Sequence, residues 1–142
     1  MCIRDRYCPT IAIYYKEWSP ENTPAGQRDR ARAADHEQSF KKAFQAGIKI
    51  VFGTDVGGFS WTEPIAQEFP YMVKFGMSPM EAIRSATISP AEMLGMTEQI
   101  GVIAPGAYAD VIAVPGDPLK DVTALGQVKF VMHNGQVVEN SF

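Results

Sequence analysis

The chain has 142 residues, 46% of them hydrophobic and 20% charged, the balance of a globular domain with apolar mass for one core. With a net charge of −3 and no Lys/Arg cluster there is no basic field to hold a phosphate backbone, so no nucleic-acid partner is expected. No run approaches the roughly 18 apolar residues that cross a bilayer, and the start lacks a signal-peptide core, so the protein reads as soluble with no membrane partner and its compartment open.

The first six residues, with Arg4-Asp5-Arg6 in a row, sit oddly before the β-type run Ile11–Tyr15 and read as a spurious or truncated start. Cys2 and Cys8 show no repeated spacing of a disulfide framework or zinc knuckle. From Pro24 to Gln45, Ala33, His36, Phe40, Ala43 and Phe44 recur at three- and four-residue steps, which predicts a long amphipathic helix stopped by Gly47. Residues 48–53 then form a β-branched run of the kind buried in a parallel sheet. Gly53-Thr54-Asp55-Val56-Gly57-Gly58 breaks that strand, and helical spacing resumes from Pro64 through Ile65, Phe69, Met72 and Val73.

Two further helix starts are written as capping boxes, Ser78-Pro79-Met80-Glu81 and Ser89-Pro90-Ala91-Glu92. Beyond residue 100 the texture turns to short β runs at 110–114 and 128–132. Asn134-Gly135 predicts a two-residue type I′ hairpin, which sets Met132 opposite Val137 and Val131 opposite Val138. Apolar residues on both faces suggest that the hairpin packs inside a small sandwich. The chain therefore divides into α/β units over 7–96 and β-sandwich strands over 97–142.

Asp55 is the leading candidate for chemistry, because a carboxylate directly after a buried parallel strand projects where α/β proteins place catalytic groups. An Asp here equally suits a turn cap, and residue types alone leave both roles open.

The blocks Gly47–Asp55, Gly76-Met77-Ser78-Pro79-Met80-Glu81-Ala82-Ile83, Ser89–Gly95, Gly101–Asp110 and Gly116-Asp117-Pro118-Leu119, in that order, resemble the C-terminal third of the amidohydrolase superfamily. The nearest branch is the one with imidazolonepropionase-like enzymes and Xaa-Pro dipeptidases. The resemblance implies the C-terminal part of a (β/α)8 TIM barrel, with the helix–strand unit at 24–53 ending in its eighth strand, followed by strands of a small β-sandwich domain. It implies that Asp55 binds or adjoins a divalent metal, zinc being the expected one, and takes a proton from the attacking hydroxide. The family's other ligands, a His-x-His, a carboxylated Lys or Glu, and two single His residues, lie in segments that are not present. A barrel of this kind needs roughly 250 residues, so the active site is expected to be incomplete.

Trp61 and Glu63, in the loop after Asp55, are candidates to line the substrate pocket; a surface loop with a half-buried Trp is the plainer reading. His36, on the apolar face of the long helix, reads as a hydrogen-bonded core histidine, and His133 as structural. The methionines at 72, 77, 80, 93 and 96 read as helix core. The expected function is metal-dependent hydrolysis of a C–N bond in an amide, cyclic amide or dipeptide, with homo-oligomerisation of the parent enzyme left open. The alternative is a non-catalytic fragment or accessory β module that folds or docks with a partner segment.

Overall fold

A computed structural model describes residues 2–3, 6–15, 19–58 and 60–142. Of the six residues at the start, Met1, Arg4 and Asp5 lie outside the described residues. Cys2–Ile3 (β1) pairs antiparallel with Arg6–Tyr7 (β2), which pairs parallel with Lys49–Ile50 (β3). The expected strand at 48–53 is therefore shorter in its ladder. Its core character holds at Ile50 and Val51, 5% and 4% exposed, whereas Ile48 is 43% exposed.

The long helix α1 runs Pro24–Gln45, with Thr23 as N-cap accepting from the Gly26 N–H at 3.1 Å and Pro24 in the first turn. Gly47 follows at φ 74°, a left-handed conformation that costs glycine least. The predicted face is the buried one: Ala33 and Phe40 are in the core and Phe44 packs against it. A turn over Ile65–Gln67 leads into α2 (Glu68–Lys74), followed by α3 (Pro79–Ala86) and α4 (Ile88–Leu94). Ile11, Phe40, Ile50, Met72, Phe75, Met77 and Ala82 form one apolar cluster between α1, the first sheet and α2–α3. No described helix is long and apolar enough to cross a membrane.

Only one of the two predicted capping boxes forms. Ser78 Oγ accepts from the Glu81 N–H, and Glu81 returns a carboxylate oxygen to the Ser78 N–H at 2.7 Å. At the second, α4 begins two residues early, with Thr87 rather than Ser89 as its cap and no side-chain cap bond. Pro90 thus falls at the third helical position, where it has no N–H to be capped. Glu92 instead lies 2.7 Å from Lys49 Nζ and 3.2 Å from Arg6 Nη2, which ties α4 to the edge of the first sheet.

The second sheet has the order β4 (Val111–Ala113), β5 (Phe130–His133), β6 (Gln136–Asn140), all antiparallel. Asn134 at φ 49° and Gly135 at φ 77° make the predicted type I′ turn. Met132 pairs with Val137 as expected, but a bulge between Val131 and Met132 shifts the ladder so that Val131 faces Glu139 rather than Val138. Burial of the hairpin on both faces is likewise not met. Val137 and Val138 are 58% and 68% exposed, because no layer of described residues covers β6. A turn at Val122–Gly126 docks this part onto α2 and the Ile65–Gln67 turn through buried Val122 and Ala124.

Candidate active-site loop

The Val51 N–H donates to the Tyr7 carbonyl and the Phe52 N–H to the Ser85 carbonyl at 2.8 Å, so the end of the strand is fixed from both sides. Gly53 follows, then Thr54, which is buried, then Asp55, which is exposed. Asp55 adopts φ 55°, a left-handed conformation that Asp tolerates better than most residues. Its carbonyl accepts from the Gly58 N–H at 3.0 Å, closing a tight turn.

Two glycines here answer to close packing. A Cβ on Gly53 would stand 2.2 Å from Cys8 Sγ, and one on Gly58 would stand 2.9 Å from Ile13 Cδ1 and 3.6 Å from Asp55 Oδ2. The segment 8–13 therefore lies directly against the loop 53–58. Burial, helped by the negative charges of Glu68 and Asp55, pushes the Cys8 thiol above its ordinary value, so it is a packed thiol rather than a thiolate.

Glu63 is part-buried and lines a narrow cleft with Thr54, Ala12 and Ile13. Trp61 is 77% exposed and is not among the residues lining that cleft. His36 Nε2 is 2.6 Å from the Pro9 carbonyl, which can only accept, so this nitrogen carries the proton. The ring stacks on Tyr14 at 4.1 Å, and burial lowers its pKa, which keeps it neutral at pH 7. His133 Nδ1 lies 2.8 Å from Asp110, whose same oxygen accepts from the Asn134 N–H, a contact that pins the hairpin turn.

Glu68 escaped the sequence reading. It is 0% exposed and accepts the Ile11 N–H on one oxygen at 2.6 Å and the Ala12 N–H on the other at 2.8 Å. A signal was available: Glu68 stands three residues after Ile65 and four before Met72, on the apolar face of its helix. Burial pushes its pKa from the ordinary 4.5 up to about 7, the two N–H bonds offsetting only part of that cost. A raised folded pKa means stability that is fully present below the unfolded value and lost as pH rises through 7. Urea unfolding should therefore show the wild-type chain losing about 2–3 kcal/mol more between pH 5 and 8 than Glu68→Gln. Parallel pH profiles for the two proteins would contradict this.

Among the described residues, no three His, Cys, Asp or Glu side chains gather in a group that could hold a metal ion. Asp55 is one oxygen donor where a site takes three or four, so these residues do not by themselves fit a metal centre.

Residues 10–138 match the amidohydrolase family profile. The chain belongs to the amidohydrolase family. Ochratoxinase of Aspergillus niger is 35% identical over 108 residues, 73% of this chain and 22% of that protein. Imidazolonepropionase of Thermoplasma volcanium is 27% identical over 97 residues, 66% of this chain and 24% of that protein. Among solved structures, a Xaa-Pro dipeptidase with methionine bound in its active site superposes at TM-score 0.81 and 34% identity, over 95% of this chain and 34% of that one. This amidohydrolase chain thus spans between 22% and 34% of the length of these relatives.

Proposed function

We propose that this amidohydrolase chain contributes the catalytic carboxylate, Asp55, to an enzyme that hydrolyses a C–N bond in an amide, cyclic amide or dipeptide. The observation that carries the reading is the position of Asp55: an exposed carboxylate in a left-handed turn, at the carboxyl end of a parallel strand and braced by segment 8–13. Residues 7–96 form the last part of a (β/α)8 barrel, and 97–142 contribute strands to a β-sandwich. The exposed valines of β6 support a partner layer there.

In the reaction Asp55 accepts a proton from the attacking water and returns one to the leaving nitrogen. A divalent metal, zinc in this reading, would lower the pKa of that water toward neutrality. Asp55 would be one donor to it, and in this reading the remaining donors would come from segments other than the described ones. Glu63, on the cleft beside Thr54, and Trp61, at the exposed loop, border the substrate, a small molecule.

The experiment is a metal-dependence series. The enzyme assembled with the segments its relatives carry should lose dipeptide or N-acyl amino acid hydrolysis after chelation and regain it with zinc. The present chain, with one placed donor, should retain almost no zinc in equilibrium dialysis. Full activity after exhaustive chelation would defeat the metal reading, and zinc held tightly at one per chain would defeat the assignment of Asp55 as its single donor.

A further inference from the structure

We infer that Glu68 is the positioning residue of the Asp55 loop: its carboxylate grips the Ile11 and Ala12 N–H groups and so sets the segment against which residues 53–58 pack. The functional consequence rests on the catalytic reading of Asp55; the mechanical claim does not.

The geometry is continuous. One oxygen of Glu68 takes Ile11 and the other takes Ala12, a two-oxygen arrangement that suits an ionised carboxylate, since protonation makes one of the two oxygens a hydroxyl and a weaker acceptor. Immediately before these residues Thr10 stands at φ 50°, an outlying conformation for a β-branched side chain that persists only where its surroundings hold it. The holding contacts are on either side: His36 donates to the Pro9 carbonyl, and Glu68 accepts the next two N–H groups. The gripped segment then meets the catalytic loop at two points, Cys8 against Gly53 and Ile13 against Gly58, and a Cβ on Gly58 would also contact Asp55 Oδ2.

A buried carboxylate is an expensive way to satisfy two backbone donors. Burial still holds Glu68 near 7 with both bonds formed, so the charged clamp is retained against a net cost. Cys8 and Tyr71 are the titratable groups facing it; both are pushed up by burial, with the Glu68 charge adding to the rise. Near neutral pH, then, Glu68 alone of the three changes charge.

The test uses NMR of the isotope-labelled chain as it stands, so it needs no activity. In Glu68→Gln, a single carbonyl oxygen replaces two. The amide shifts of residues 53–58 should move, and the cross-relaxation between the Ile13 δ1 methyl and Gly58 should weaken about twofold or more as the segment lifts. Those of the β5–β6 hairpin should stay. Unchanged 53–58 signals, with only Ile11 and Ala12 perturbed, would reduce Glu68 to a local cap and overturn the inference. Should the variant not fold, wild type decides: the Gly57 and Gly58 amides should titrate with the midpoint of the Glu68 carboxyl carbon. Loop amides that ignore that midpoint would overturn it equally. Failure of Asp55 as a catalytic group would show in turnover and leave these signals untouched.

Discussion

Asp55→Asn is expected to lower kcat of the assembled enzyme by about 10²-fold or more, with KM changed far less, which is the usual worth of a positioned proton acceptor. The substitution is chosen for its backbone. Asp55 sits at φ 55°, and Asn tolerates that region as Asp does, whereas Ala there would add left-handed strain and confound loss of chemistry with loss of the loop. Asn also keeps one oxygen, so any side-chain bond that shapes the turn survives; what disappears is the negative charge and the proton acceptor. The Gly58 N–H bond to the Asp55 carbonyl is made by the main chain and is untouched. The measurement is kcat and KM for both proteins at matched metal occupancy. A turn cap would give equal kcat and at most about 1 kcal/mol of lost stability. That outcome would remove Asp55 from the mechanism.

What could be read before the structure was whatever local chemistry decides. The Ser78 box forms because Ser, Pro and Glu at that spacing satisfy the helix's own orphan groups, and the Asn134-Gly135 turn forms because both residues accept positive φ. Helix α1 and the loop after β3 follow from periodicity and from glycine. Most of the departures involve partners distant in sequence. Glu92 pairs with Lys49 and Arg6, 43 and 86 residues away, and the box written around Ser89 is not used. The bulge at Val131 and Met132 changes the hairpin register, which no local rule announces. The periodicity puts Glu68 on an apolar helix face without saying what satisfies it there, because Ile11 and Ala12 are brought to it across 57 and 56 residues. Similarly, Gly53 looks like a loop glycine until Cys8 is found against it. The candidate carboxylate was thus legible, and the apparatus that braces it was not.

Phe40→Ala should cost about 3–5 kcal/mol, the range for deleting a buried phenyl and leaving a cavity behind. Phe40 is 0% exposed and sits at the meeting point of three elements. Its ring centroid is 5.9 Å from that of Phe75 and 6.3 Å from that of Phe44, and it shares the cluster with Ile11, Ile50 and Met72. Ile50 belongs to the strand that leads to Asp55, and Ile11 to the segment that Glu68 holds, so the cavity would open behind the elements that support the Asp55 loop. Against a domain stability of about 5–15 kcal/mol the loss is large, and the urea midpoint should fall with little change in slope. Phe40→Leu, which keeps much of the volume, should cost about 1–1.5 kcal/mol. Phe44→Ala should cost less than Phe40→Ala, because Phe44 is only partly buried and its neighbours can close over the gap. If Phe40→Ala unfolds within about 1 kcal/mol of wild type, α1 is not seated on the sheet through this ring. The packing that carries Asp55 to the strand's end would then have to come from α2 and α3 alone.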